Sequence, residues 1–160
     1  MKLSAPTRYA IRILFELSEC SHKATLGWIS ERTGISFKVV EAIAATLRQH
    51  GITASSAGPR GGISLVAPLA EISLGQVILL FDEGVEFAVC CGDKSNDCPQ
   101  QNVCETRAMW RGISGRIQAE LDKISLAEVL RNSPQIIVPL RQRQGQLHNR
   151  ATSVTTKVKP

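Results

Sequence analysis

Two helical patterns joined by a short glycine turn constrain the fold of this chain more than any other feature. Thr25 can cap a short helix, LGWISERT, and Gly34 can end that helix. Ser36 can then cap a longer helix, FKVVEAIAATLRQH, which Gly51 ends. Apolar side chains at helical spacing predict the buried stripe of the longer helix, which consists of Val40, Ile43, Ala44 and Leu47.

A further helical pattern precedes this pair, and a hairpin pattern follows it. Thr7 can cap the first helix, whose apolar spacing continues to Leu17. After Gly51, the β-type runs ITAS and ISLV flank a Gly-Pro-Arg-Gly-Gly tip, which predicts a β-hairpin. This order of elements predicts a winged helix-turn-helix, in which the second helix of the pair enters the major groove of DNA.

The longer helix and the hairpin tip carry the candidate DNA-binding residues. The outer side of the helix includes Lys38, Glu41 and Arg48 and is otherwise small or polar, which suits close approach to base edges. Arg60 lies at the hairpin tip, where it could reach a phosphate or the minor groove. Taken alone, the hairpin would be an ordinary surface feature with an exposed arginine. Its place directly after the helix pair favours a DNA-binding wing.

The charge along the chain agrees with a DNA-binding first segment. Residues 1–66 carry eight Lys and Arg against four Glu, a net charge of +4. Residues 67–128 carry five Lys and Arg against ten Asp and Glu, a net charge of −5, and residues 129–160 carry six Lys and Arg and no acid. A basic first segment is typical of a protein that contacts a polyanion. The basic tail is predicted to be mostly disordered, with a nucleic-acid arm as the alternative.

The chain is predicted to be cytoplasmic, with no membrane partner. No stretch approaches the roughly 20 apolar residues of a membrane span. The N-terminal stretch MKLSAPTRYAIRILFEL has charges within its apolar run and no small-residue cleavage site. Thiols stay reduced in the cytosol, and the five cysteines are an odd number, so a disulfide framework is not expected.

The second half of the chain is predicted to contain three more helices. Ser73 can cap LGQVILLFDE, a longer helix runs from Glu105 to about Lys123, and ISLAEVL forms a last short helix. The longer helix carries an apolar seam made of Trp110, Ile113, Ile117, Leu121 and Ile124. This helix could simply pack on its own domain. Because the winged region has its own core, we favour a dimerisation helix, since a dimer reads two half-sites one turn apart.

Four of the five cysteines lie within fifteen residues, CCGDKSNDCPQQNVC, as Cys90, Cys91, Cys98 and Cys104. Their wide gaps fit neither the close cysteine pairs of structural zinc sites nor the two-residue gaps of bacterial ferredoxins. Thiolates at wide, similar gaps among turn-forming residues are nevertheless typical of a loop that wraps an iron–sulfur cluster. Zinc and a flexible loop of free thiols are the alternatives, and four cysteines in so short a segment favour the cofactor.

The chain resembles the IscR/NsrR family of bacterial winged-helix regulators. The resemblance rests on MKLSAPTRYAIRILFELS, ISERTGISFKVVEAIAATLRQHGI, the GPRGGISL hairpin, CETRAMWRGISGRI and ISLAEVL, and it covers about residues 1–131. It implies a homodimeric transcription factor that binds an operator in double-stranded DNA through its winged helices. In the iron–sulfur members, a cluster in the loop before the long dimer helix alters the affinity for DNA.

The resemblance also implies roles for particular residues. Glu41 matches a recognition-helix glutamate that helps to read bases, and Ser36 and Lys38 lie on the same DNA-side stretch. The implied cluster ligands are Cys98, Cys104 and either Cys90 or Cys91.

The fourth cluster ligand of the resembled family is absent from this sequence. Arg107 stands where the IscR branch has a histidine, and Arg8 occupies the stretch where the NsrR branch has an aspartate. The cluster could therefore be 2Fe–2S or 4Fe–4S. The spare cysteine of the Cys90 and Cys91 pair, Asp97, Glu105 and an exogenous molecule are the candidates for the fourth ligand.

These patterns together predict a mainly α protein with four segments. They are a winged helix-turn-helix domain with a small β-hairpin wing at 1–80, a cysteine-rich cluster loop at 81–104, the dimerisation and closing helices at 105–131, and a basic tail at 132–160. We expect a transcriptional regulator, not an enzyme, whose operator binding responds to redox state, nitric oxide or iron–sulfur status through the cluster. A cluster-free thiol-switch transcription factor and an iron–sulfur electron-transfer protein are the alternatives.

Overall fold

The computed structural model describes residues 3–58, 61–82, 84–85 and 103–132. These residues are mostly helical, with one two-stranded antiparallel sheet, so the predicted winged helix-turn-helix class is confirmed. The elements in chain order are α1 (Ala5–Ser18), α2 (Leu26–Thr33), α3 (Phe37–Gln49), β1 (Thr53–Ser56), β2 (Gly62–Leu65), α4 (Leu74–Asp82), α5 (Glu105–Lys123) and α6 (Leu126–Asn132).

The helices α1, α2 and α3 enclose an almost wholly aliphatic core, in keeping with an aromatic content of 4%. The predicted stripe of α3 is confirmed, because all four of its members are buried: Val40, Ile43, Ala44 and Leu47. Helix α1 contributes Ile13 and Leu14, and α2 contributes Ile29, each at most 1% exposed. Burying these side chains fixes the orientation of α3 against α1 and α2.

The ends of the helix-turn-helix pair follow the predicted caps in part. The Thr25 hydroxyl accepts a hydrogen bond from the Trp28 N–H at 3.2 Å, and α2 ends at Gly34 with φ of 66°. Glycine is favoured there because a left-handed residue carries no Cβ penalty. Ser36 occupies the N-cap position of α3, but its side chain makes no capping hydrogen bond.

The predicted cap of α1 is wrong. The helix begins at Ala5, and the hydroxyl of Ser4 accepts a hydrogen bond from the Thr7 N–H at 3.2 Å. Thr7 lies in the first turn instead, where its hydroxyl donates to Asp82 at 2.7 Å. A contact 75 residues away in the chain therefore decides the role of this threonine.

Asp82 joins the end of α4 to the start of α1. Its carboxylate accepts hydrogen bonds from the Thr7 hydroxyl and from the backbone N–H of Ser4 at 3.2 Å. Partial burial opposes ionisation of Asp82, but the hydrogen bonds from Ser4 and Thr7 outweigh it and lower the pKa of this carboxyl below its ordinary value. An ionised carboxylate also suits the positive end of the α1 dipole.

The predicted hairpin forms from β1 and β2. Its register pairs Thr53 with Leu65 and Ser56 with Gly62. Ala24, just before α2, pairs with Ile63 of β2 through two backbone hydrogen bonds of 2.8 and 2.9 Å. The segment before α2 therefore fixes the hairpin to the helix-turn-helix.

Helix α5 packs closely against α4. Ser73 caps α4 as predicted, since its hydroxyl accepts a hydrogen bond from the Gln76 N–H at 3.0 Å. A Cβ placed on Gly75 would lie 2.8 Å from the backbone nitrogen of Asp122, so only glycine permits this approach. Helix α5 ends at Lys123, and Ile124 is its extended C-cap rather than the last helical member of the predicted seam.

The close packing at Gly75 predicts a specific loss of stability. Gly75→Ala should lower the free energy of unfolding by about 1–3 kcal/mol, because the added methyl group must push α5 away from α4. Gly27→Ala is the matched control, because its Cβ would meet only the Thr25 hydroxyl at 4.0 Å. This control should leave the free energy unchanged or raise it by up to about 1 kcal/mol. Urea denaturation measures both, and equal stability of the two variants would contradict the packing.

Candidate nucleic-acid interface

One face of α3 points away from the core and carries the predicted DNA-binding residues of this helix. Lys38, Glu41, Ala45 and Arg48 are all exposed and are spaced by three and four residues, which places them along one side of the helix. Ser36 lies exposed at the N-cap of the same helix. The face from Lys38 to Arg48 is about 15 Å long at 1.5 Å per residue, a length that an α-helix can present within a major groove.

Phe37 was not among the predicted site residues, yet it belongs to this exposed region. Its side chain is 51% exposed at the first position of α3. The sequence signal for its exposure is that Phe37 is an apolar residue at the start of α3 that does not belong to the predicted buried stripe. Apolar side chains in such positions can contact the methyl group of thymine.

A groove of about 270 Å³ separates the exposed face of α3 from the hairpin. At its rim, Nη1 of Arg48 donates a hydrogen bond to the Ser55 hydroxyl at 3.2 Å. Helix α3 and the hairpin are thus joined by a positively charged side chain. The groove is lined by Leu26, Glu41, Ala44, Ala45, Arg48, Thr53, Ser55 and Ile63.

Thr53 lines this groove and, like Phe37, was not among the predicted site residues. It is only 2% exposed, and its hydroxyl has no hydrogen-bond partner among the described residues. Successive side chains of a strand alternate between its two faces, so Thr53 and Ser55 both face α3. The sequence signal for this role is a polar residue at each of the two positions of TASS that face α3.

Arg60, predicted at the tip of the hairpin, lies outside the described residues, because the structure describes the chain up to Gly58 and again from Gly61. The same is true of Cys90, Cys91 and Cys98, and of the tail beyond Asn132. The predicted roles of these residues stay predictions. Within the described part of the chain, no group of three or more His, Cys, Asp or Glu could hold a metal ion.

Cys104 is the one predicted cluster ligand whose surroundings are described. It is half-buried and occupies the N-cap position of α5, with its sulfur 3.0 Å from the Thr106 hydroxyl oxygen. Hydrogen bonds from Thr106 and from the Arg107 backbone lower the pKa of this thiol below its ordinary value, against a smaller opposing effect of burial. The start of a helix also favours a thiolate through its dipole.

The 19-residue helix α5 has no buried residue. Its polar residues Ser114, Gln118 and Asp122 follow one another at four-residue spacing, and the last two lie against Gly75 of α4. The predicted seam lies about a quarter turn away at 100° per residue. Trp110 is 36% exposed, and the other helical seam residues are half-buried without packing against the described core: Ile113, Ile117 and Leu121.

No helix in the described part of the chain is both long enough and apolar enough to span a membrane.

Comparisons with known proteins agree with this architecture. The family model Rrf2, described as an iron-dependent transcriptional regulator, matches residues 3–132. The HTH-type transcriptional regulator IscR of Vibrio vulnificus is 38% identical over 144 residues, which cover 89% of this chain and 84% of that protein. IscR of Serratia proteamaculans is 36% identical over 144 residues, covering 89% of this chain and 87% of the relative.

Solved structures share the fold at lower sequence identity. The structure of T. potens IscR superposes with a TM-score of 0.62 at 24% identity, over 89% of this chain and 96% of that one. CymR of B. subtilis superposes with a TM-score of 0.60 at 23% identity, over 81% of this chain and 95% of that one. From the match over residues 3–132 and the identity to the curated relatives, the chain belongs to the Rrf2 family of transcriptional regulators.

Proposed function

We propose that this chain is a homodimeric regulator that binds an operator in double-stranded DNA and whose affinity an iron–sulfur cluster controls. Its family is one of transcriptional regulators, not of enzymes. The observation that carries the proposal is the exposed face of α3 beside the hairpin, with Lys38, Glu41 and Arg48 directed away from the core. A cytoplasmic location is part of the proposal, because the operator lies in the cytoplasm of a bacterium.

Both α3 and the hairpin would contact DNA. Lys38 and Arg48 supply positive charge at the two ends of the exposed face, which suits phosphate contacts. Glu41 lies between them, where a carboxylate can accept a hydrogen bond from the amino group of cytosine. Arg60 at the hairpin tip would reach the minor groove.

A dimer would cover the apolar seam of α5. Half-buried isoleucine and leucine side chains on a helix with no buried residue leave apolar surface that a second copy can remove from water. Pairing through α5 would place two α3 helices on one operator, each in its own half-site. Val103 and Met109, which are 80% and 50% exposed, would extend this surface toward the start of the helix.

The cluster would be held by Cys98, Cys104 and one of Cys90 and Cys91, with the fourth ligand and the cluster type left open. Cys104 fits this role, because its thiol is a soft ligand and lies at the N-terminus of α5, the proposed dimer helix. A bound cluster would supply a redox- and gas-sensitive centre. The names of the curated relatives and the iron-dependent description of the family support the same assignment.

A change in the cluster would reach DNA through a two-state rearrangement. Cys104 is continuous with α5, α5 packs on α4 at Gly75, and Asp82 of α4 holds the start of α1. Loss or modification of the cluster would reorganise the cysteine segment and move α5 relative to this packed unit. The separation and orientation of the two α3 helices would then change the affinity for the operator.

Charge in the α5 seam should disrupt the proposed dimer. Ile113→Glu would bury a carboxylate in the interface and should raise the dimer dissociation constant at least about 100-fold, because an unpaired buried charge costs several kcal/mol. Ala119→Glu, on the opposite side of the helix and exposed, is the control that should remain dimeric. Sedimentation equilibrium measures both constants. A monomeric wild type, or an Ile113→Glu variant with wild-type association, would contradict the dimer.

Substitution of the predicted cluster ligand Cys98 tests whether DNA binding depends on the cluster. Anaerobically purified Cys98→Ala should lose iron, sulfide and visible absorption, and its affinity for duplex DNA enriched from a random library by the wild type should change. Cys20→Ala is the control, because this half-buried thiol follows α1 and is far from the cysteine segment along the chain. It should keep both the cluster and the wild-type affinity. Retained cluster and unchanged DNA binding in Cys98→Ala would refute cluster control.

A further inference from the structure

A lysine outside the recognition helix is held at the hairpin. Lys23 lies in the segment between α1 and α2, and its ammonium group donates a hydrogen bond to the Ser56 hydroxyl at 2.8 Å. Ser56 is the last residue of β1 before the hairpin tip. The positive charge of Lys23 is therefore placed beside the end of β1, although the residue lies 33 positions earlier in the chain than Ser56.

The backbone explains how Lys23 reaches this position. Its neighbour Ala24 pairs with Ile63 of β2, which brings the segment against the hairpin. Gly62, the partner of Ser56 across the hairpin, lets this segment approach closely, because a Cβ there would lie 2.7 Å from the Ala24 carbonyl oxygen. The Lys23 side chain can then span β2 and reach β1.

The hairpin consequently carries a cation on each of its two faces. Ser55 and Ser56 are consecutive residues of β1, so their side chains point to opposite faces. Arg48 binds Ser55 on the face toward α3, and Lys23 binds Ser56 on the other face. Among the described residues the two ion pairs are Arg32 with Glu16 and Lys123 with Glu120, so neither of these two cations has a carboxylate partner there.

We propose that Lys23 binds a phosphate of the DNA strand that lies on the side of the hairpin away from α3. The inference rests on the proposed function and adds a contact outside the recognition helix and the hairpin tip. The minor groove is about 6 Å wide and has a phosphate backbone along each side, so a hairpin that enters it presents one face to each strand. An ammonium group that is held by one hydroxyl and has no carboxylate partner among the described residues is well suited to a phosphate oxygen.

The salt dependence of DNA binding tests this contact. Each phosphate contact contributes about 0.9 to the slope of log affinity against log salt concentration. Lys23→Gln should therefore reduce the magnitude of the slope by about 0.9 for every hairpin that engages DNA. The loss should be similar for the enriched duplex and for a scrambled duplex, because a phosphate contact does not read sequence. Fluorescence anisotropy at several potassium chloride concentrations, with the full chain, gives these slopes.

Three variants separate a phosphate contact from a structural role. Lys23→Arg keeps the charge and should keep the wild-type slope. Ser56→Ala removes only the hydroxyl partner of Lys23, so it should weaken DNA binding less than Lys23→Gln does and should leave the slope unchanged. Lys123→Gln, which removes a charge that pairs with Glu120 on α5, should have the wild-type slope and affinity. Unchanged thermal unfolding of Lys23→Gln would confirm that its fold is intact.

The outcomes distinguish this inference from the function on which it rests. If the wild type binds DNA and Lys23→Gln has the wild-type slope, the Lys23 contact is refuted and the proposed function stands. If the wild type does not bind duplex DNA at all, both are refuted. A slope that falls equally in Lys23→Gln and Lys123→Gln would reflect net charge alone and would also overturn the contact.

Discussion

The close packing of α5 on α4 at Gly75 is the contact on which the rest of the structure depends. It joins the long helix, which buries no side chain of its own, to the compact unit of α1 to α3. Helix α4 is the shared element, because its end also holds the start of α1 through Asp82 and Thr7. Movement at the start of α5 therefore has a packed route to the helix-turn-helix, whereas a flexible connection would absorb it.

The side proposed to face DNA is held in place for a different reason. The buried stripe of α3 fixes this helix against α1 and α2, and the Ala24 to Ile63 pairing fixes the hairpin to the same unit. Arg48 and Lys23 then hold their charges against opposite faces of the hairpin. Preorganised charges of this kind lose little side-chain entropy when they bind phosphates.

The sequence predicted the features that depend on local pattern. The stripe from Val40 to Leu47, the glycine at the end of α2 and the hairpin all follow from helical spacing and turn chemistry, and all are confirmed. It did not predict features that depend on partners distant in the chain. Thr7 is a residue type that often caps helices, but its hydroxyl donates a hydrogen bond to Asp82 instead. The sequence around Gly75 and Lys23 likewise does not indicate which residues they contact.

Hydrogen–deuterium exchange of the anaerobic full chain, with and without its iron and sulfide, tests the proposed route most directly. We predict changed amide protection at the start of α5, along α4 and at the first turn of α1, because these elements form one packed unit. A change confined to residues before Cys104 would contradict it. In that case the state of the cysteine segment would not reach the helix-turn-helix through α4.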